Sequence, residues 1–431
     1  MSLSTETAAA AADLSPSLAT GQRAVHDHEL TYPLWPPLVA GCPRSSTETV
    51  AYPLEVTFGY DALGDGTVDE LFGRDTVPSD ASAWAPLLPP LHPGLVRGIG
   101  GTTLLDASAL FDTDVPVLLK DESRNPTWSH KDRLNLCAVS AAALSGAPGV
   151  VVASSGNHGA SAAAMSAAVG LPCVVVMSTG GPPPVESFVG AYGATVLSVP
   201  RAARWGVVKD IVDRLGFQPV SNQTVTHTGH PFGPEGYKTI AYELYIELGR
   251  RVPAAVYVPA GYGELLYGVW KGFEELRTLG VAGTVPAVYA CEVGGRAVIA
   301  TALREHQPAV TVPVTPTDAY SVATTTGGYR ATHVMTHTTG EVIGVEDADM
   351  VRAQDDLARF GMWQELSGVI GVAGLRQSLA AGTRFEGPVV CICTSSGFKD
   401  KNALRYEPIP TGADWASVSA VLAGRGIDIG S

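Results

Sequence analysis

From residue 115 onward, short unbroken apolar runs alternate with longer stretches whose apolar positions recur at helical spacing. Residues 115–120, 150–153, 173–177, 195–199, 255–258, 285–292 and 389–393 suit strands, and 150–153, 173–177 and 389–393 are continuous apolar runs, the pattern of strands covered on both sides. Between them, 133–144, 157–169, 204–215, 239–248, 265–279 and 347–360 suit helices. The first two are alanine-rich and stop at Gly146 and Gly170; the last carries acids in its first turn. A short helix through Phe188 follows the proline-rich turn 182–184. Strands alternating with helices predict an α/β fold of parallel sheets with helices on both faces.

The start of the chain reads differently. Residues 1–45 are rich in Ala, Ser, Thr and Pro, lack periodicity, and are expected to form a loosely ordered or surface-wrapping arm. Residues 52–58 alternate like a strand, 87–92 must be extended or turning, and the glycines of 98–101 open a loop. A length of 431 residues with 45% apolar content exceeds one ordinary domain, so two α/β domains are expected. A net charge of −14 and no basic run longer than two residues argue against nucleic acid or an anionic membrane as partner. Of six cysteines, four sit in apolar runs, as reduced, buried thiols of a cytoplasmic protein would. Cys391 and Cys393 lack further ligands at metal-binding spacing, so no metal is expected. Neither a signal peptide nor an apolar run of membrane-spanning length is found.

Several loops then change the picture. Lys131 follows the turn Asn125-Pro126-Thr127 and falls at the entry to a predicted helix. A helix N-terminus and partial burial both lower a lysine pKa, and Schiff-base chemistry needs the neutral amine. In a charged Lys-Asp-Arg triplet, a solvated lysine is the plainer reading. Ser154-Ser155-Gly156-Asn157-His158-Gly159 joins a predicted strand to a helix. Its amides and hydroxyls suit a carboxylate or phenolate oxygen, and a turn capped by Asn157 reads equally well. Gly261-Tyr262-Gly263 has the same setting and suits a phosphate, without completing a dinucleotide or Walker motif. Thr394-Ser395-Ser396-Gly397 ends the last strand, where a hydroxyl could meet a ring nitrogen or simply form a turn. His130 stands beside Lys131 and His158 inside the 154–159 loop; His227 and His230 are scattered candidates, for which surface or supporting roles read at least as well. Asp121-Glu122 reads as a solvated strand end, and no GxSxG elbow supports a hydrolase triad.

Taken in order, these blocks resemble the fold-type II pyridoxal-phosphate enzymes, and among them threonine synthase. Lys120-x-Glu122-x-x-Asn125-Pro126-Thr127-x-Ser129-x-Lys131-Asp132-Arg133 is similar to the family's lysine loop, and Ser154 to Asn157 to its S-[ST]-G-N loop. The EGYKTIAYE block at 235–243, the glycine-rich loop at 259–263 and the TSSGFKD block at 394–400 resemble three further motifs. The resemblance implies pyridoxal 5'-phosphate as cofactor, carried by Lys131. It further implies Asn157 at the cofactor's phenolic oxygen, Gly261, Tyr262, Gly263, Glu264 and Leu265 around its phosphate, and Thr394 at its ring nitrogen. Thr127, Trp128, Ser129, Ser154, Ser155, Gly156 and His158 would lie on the substrate side.

The implied domains are an arm at 1–45, a larger cofactor-binding domain at 46–140 and 221–431, and a smaller domain at 141–220, in a homodimer. The implied activity is a lyase or transferase reaction on an α-amino acid: elimination of a β- or γ-substituent, then addition of water or another nucleophile. β-Replacement or β-elimination, as in cysteate synthase or serine/threonine dehydratases, is the alternative; a catalytically silent binding protein is a third. The sequence departs from the family at Trp128 (usually Gly), His130 (Phe), Leu134 (Gly), His158, Tyr262 (Asn) and the added acid Glu264. These changes are expected to reshape the substrate pocket more than the cofactor chemistry.

Overall fold

The computed structural model describes residues 16–95, 98–181, 183–400 and 408–428. The arm's residues 1–15 and Pro182 of the predicted turn lie outside the described residues. The strands are β1 (Ala19–Ala24), β2 (Thr31–Pro33), β3 (Leu54–Phe58), β4 (Thr103–Asp106), β5 (Val117–Asp121), β6 (Val150–Ala153), β7 (Cys173–Ser178), β8 (Thr195–Val199), β9 (Gln218–Pro219), β10 (Ala255–Pro259), β11 (Ala287–Val293), β12 (Val342–Val345) and β13 (Val389–Cys393). They form a six-stranded sheet in the order β12-β11-β10-β13-β5-β4, a four-stranded sheet β8-β7-β6-β9, and a three-stranded sheet β2-β1-β3. Every pairing in the first two is parallel except β4 with β5 at one edge. This is the predicted α/β fold, with helices packed against both main sheets.

Part of the predicted arm is ordered structure. Residues 19–24 and 31–33, expected to be loose, are β1 and β2, and β1 pairs antiparallel with both β2 and β3. The physical reason is Gln22, which is fully buried although polar. Its amide nitrogen donates to the carbonyls of Pro33, Leu34 and Pro36, and its oxygen accepts from the Leu38 amide. A side chain organises this segment, so no hydrophobic period marks it.

Three helices stack behind the lysine loop: Lys131–Leu144, Gly233–Glu247 and Glu264–Thr278. Gly236 lies so near the first of these that a Cβ there would run into the Arg133 carbonyl oxygen. Gly268 and Gly272, one turn apart, meet the backbone and side chains of Pro234, Tyr237, Lys238 and Ala241 with similar closeness. The stack brings the first residues of the Lys131 and Glu264 helices to one end of the large sheet, beyond the carboxyl ends of its parallel strands.

Asp121 and Glu122 are not a solvated strand end: both are buried. Glu122 Oε2 meets Arg133 Nε at 2.7 Å, Arg133 Nη1 meets Glu243 Oε1 at 2.5 Å, and Lys120 Nζ lies 2.9 Å from Glu243 Oε2. Burial pushes the Glu243 carboxyl up, but Arg133 and Lys120 outweigh it and hold it at about 2. The charges that dominate the lysine motif therefore lock β5 to two helices rather than meet ligand. Breaking such a buried pair from one side costs about 3–5 kcal/mol.

Candidate active site

Lys131 is the first residue of its helix and half-buried, with Nζ 5.6 Å from the centre of the Tyr237 ring. Burial lowers its pKa, and Glu264 opposes the shift. His130 stacks on Tyr237 at 5.4 Å. Its backbone N–H donates to the Thr394 carbonyl at 3.0 Å, and its Nδ1 lies 3.1 Å from the same oxygen. Nδ1 must carry the proton to donate there, so His130 fastens the lysine turn to β13, and burial holds its pKa well below the ordinary value.

The preceding turn is built for shape. Thr127 is buried, its amide and hydroxyl both on the Asp132 carboxylate at 2.6 and 2.5 Å. Ser129 is buried and bridges to Ser395. Trp128 adopts φ +61°, a left-handed conformation that explains why a glycine is usual there. Its ring is 49% exposed and meets Phe188 edge-on at 6.2 Å. None of these three lines the cavity beside Lys131.

That cavity, about 420 Å³, is walled by the loop at 154–158, the turn at 261–265, Lys131 and Thr394. The Ser154 hydroxyl accepts from the Gly156 amide at 3.2 Å and that of Ser155 from the Ser178 amide at 2.7 Å, so each keeps a proton to donate. Asn157 donates from Nδ2 to Glu365 Oε2 at 2.6 Å, while the Ser395 hydroxyl reaches its Oδ1 at 3.0 Å. A carboxylate can only accept, so the amide's orientation is fixed and Nδ2 retains one N–H. His158 lines the cavity with Nε2 unpartnered among the described residues, and burial pushes its pKa down to about 3.

In the glycine turn, Gly263 has φ +89° and a Cβ would lie 2.8 Å from the Ala331 nitrogen, so only glycine fits. Tyr262 stacks on His227 at 3.9 Å with the rings 11° apart. Glu264 Oε2 lies 3.8 Å from His227 Nε2. Burial raises the Glu264 carboxyl, yet His227, Lys131 and Arg330 together bring it below the ordinary value.

Several wall residues have no counterpart in the sequence reading, two arginines foremost. Arg201 and Arg204 reach the cavity from the connection after β8 and the helix that follows. Arg204 Nε is buried without a hydrogen-bond partner among the described residues. Only the rule that ligands gather beyond the carboxyl ends of parallel strands could have drawn attention to them. Tyr320 and Ser321 also line the wall, and Ser321 donates to Glu365.

The donor set fits pyridoxal phosphate. The cavity has the size of a small-molecule pocket. One amine, one spare amide N–H and the Thr394 hydroxyl border it, and the glycine turn opens a helix N-terminus able to receive an anion.

Comparison with known proteins agrees. Residues 95–395 match a family described as "Pyridoxal-phosphate dependent enzyme". A threonine synthase of Halalkalibacterium halodurans is 30% identical over 320 residues, 72% of this chain and 86% of that protein. A threonine synthase of Methanocaldococcus jannaschii is 29% identical over 86% of this chain and 93% of its own length. Among solved structures, maize serine racemase superposes with a TM-score of 0.60 at 20% identity, covering 75% of this chain and 93% of that one. O-ureido-L-serine synthase superposes with a TM-score of 0.58 at 21% identity, over 78% of this chain and 100% of that one. The two structural likenesses speak to fold alone.

Proposed function

The chain belongs to the pyridoxal-phosphate dependent enzyme family, and on that premise we propose that it carries out a threonine synthase-like elimination and addition on an α-amino acid with an anionic leaving group. The observation that carries this reading is the meeting of Lys131, the 154–158 loop, the glycine turn and Thr394 around one cavity with two arginines on its wall.

When bound, pyridoxal phosphate supplies an electron sink for charge that develops at the amino acid's Cα. The residues supply the rest. Lys131 holds the cofactor and, once released, takes the proton from Cα; burial favours its neutral form. The spare N–H of Asn157 would serve the phenolic oxygen, and the amides of 261–265 would receive the phosphate. Thr394 would offer the ring nitrogen a neutral hydroxyl, which would leave that nitrogen largely unprotonated and favour elimination over transamination. Ser154, Ser155 and the Gly156 amide hold the substrate carboxylate. Arg201 and Arg204 suit a phosphate or another anion at the far end of the substrate. Thr127, Trp128 and Ser129 shape the lysine turn from behind. We also propose a homodimer in the cytoplasm.

The purified protein with added pyridoxal phosphate is expected to show a visible absorbance band that Lys131→Ala lacks. O-Phosphohomoserine should then yield phosphate and threonine. A colourless wild type overturns the enzyme reading. Formation of 2-oxo acid from serine or threonine, with no phosphate or threonine from O-phosphohomoserine, replaces it with a dehydratase.

A further inference from the structure

Glu264 stands where a phosphate would be received. It opens the helix whose first amides form the anion cup, and it is 7% exposed. Its carboxylate is tucked against Gly229, where a Cβ would collide with Oε1. The charged and titratable groups around it come from every neighbouring element. Lys131 and Tyr237 face it from two helices of the stack, and His158 from the Asn157–Ala168 helix. His227 and His230 face it from the segment before the Gly233 helix, and Arg330 from the Tyr329–His337 helix. Arg330 is buried; two of its nitrogens donate to the carbonyls of Thr228 and Leu54, and Nε is unpartnered among the described residues.

The histidines are the adjustable part. His230 Nδ1 accepts from the Phe232 amide at 3.1 Å, so its ring is committed to that contact. His227 is held flat on Tyr262 and lines the cavity, with Nδ1 unpartnered among the described residues. Its Nε2 is 3.8 Å from Glu264, ion-pair distance but longer than a hydrogen bond. The pair is placed to engage once the ring is charged.

A phosphate monoester carries nearly two negative charges above neutral pH. Set beside Glu264, with Lys131 holding the cofactor, it brings about three negative charges together; Arg330 is the arginine that faces Glu264, while Arg204 and Arg296 lie nearer Tyr262. Like charges brought together in a buried site raise one another's proton affinity. We propose that a phosphate group entering the 261–265 turn binds together with one proton from solvent, which His227 holds between the phosphate and Glu264. His227 and Glu264 are thereby positioning residues for the phosphate end. This inference rests on reading the cavity as the cofactor site. The sign follows from linkage. His227 is neutral without the phosphate, since burial brings its pKa to about 4. Phosphate raises it, so the added affinity is greatest at low pH and is lost as pH rises through the raised value.

The test uses the full chain carrying Lys131→Ala, so that the amine neither bonds nor contributes charge, with pyridoxine 5'-phosphate as ligand and pyridoxine as control. Calorimetry in two buffers of different ionisation enthalpy near neutral pH should find uptake of about one proton with the phosphorylated ligand only, and an affinity falling about tenfold per pH unit around neutrality and levelling off above the raised His227 value. His227→Gln should abolish the uptake and flatten the pH dependence. Glu264→Gln should tighten binding at mildly basic pH, a gain that misfolding cannot produce. Binding without proton uptake, uptake that survives His227→Gln, or weaker binding by Glu264→Gln overturns the inference and leaves the cofactor site standing. Uptake lost in Arg201→Ala but kept in His227→Gln would put the phosphate at the arginines and also overturn it. Failure of the phosphorylated ligand to bind overturns both readings.

Discussion

Trp128 separates backbone from side-chain effects. A left-handed φ costs a residue with a Cβ about 1–2 kcal/mol, and its edge-on contact with Phe188 returns about 0.5–1.5 kcal/mol. Trp128→Ala keeps the strain and loses the contact; Trp128→Gly loses both. Denaturant unfolding should therefore find the glycine variant more stable than the alanine variant by about 1 kcal/mol, with the visible cofactor band kept in each. Glu264→Gln makes a second comparison. Glu264 raises the Lys131 pKa against the lowering effect of burial, so removing its charge should move the rising limb of the kcat–pH profile to lower pH. A limb that stays in place would show that Lys131 is not the group being read. Single positions were legible in unequal degree. Lys131, Asn157 and Thr394 stood in recognisable motifs and border one cavity. Arg201 and Arg204 did not, because an arginine's role there depends on a strand end that no local pattern announces.

The helix stack shows what periodicity does and does not reveal. The Gly233–Glu247 helix begins six residues before the predicted start, since Gly233-Pro234-Glu235-Gly236 looks like a break. Those glycines are there for contact, not for a turn. Gly236→Ala should cost about 1–3 kcal/mol or more through overpacking against Arg133. Gly206→Ala, in the exposed Arg204–Leu215 helix with no atom within 4 Å of the new methyl, should instead stabilise by about 0.4–1 kcal/mol. Equilibrium unfolding of both variants checks the contrast. Strands were the most legible elements: 150–153, 195–199 and 389–393 match β6, β8 and β13 residue for residue, although β8 is a partly exposed edge strand and the other two are mostly or wholly buried. β12 and the Tyr329–His337 and Ile370–Ala380 helices were missed, having no distinctive caps.

Across the whole molecule, the alternation of strand and helix announced the α/β architecture, and the order of motifs announced the family. The substrate was not legible, because the cavity wall is assembled from segments far apart in the chain. No helix among the described residues is long and apolar enough to cross a membrane. The hydrophobic core that holds the lysine helix extends across residues of both main sheets, so ligand bound in the cavity should stabilise the whole chain. Pyridoxal phosphate at a hundredfold excess over its dissociation constant should add about 2.7 kcal/mol to the unfolding free energy, and pyridoxal markedly less at the same concentration. Thermal melts with each compound would check this; equal shifts would mean that the 261–265 turn takes no part.

The close contacts at Gly236, Gly268 and Gly272 have a further consequence. They act as a ruler whose graduations are hydrogen atoms. Lys131 and the 261–265 turn begin separate helices, and the spacing of those helices is set where side chains are missing. Enlarging any of the three would move the amine relative to the turn without touching either. Attempts to broaden this cavity for other amino acids should therefore redesign the wall around Arg201, Arg204 and Tyr320 and leave the gauge behind it alone.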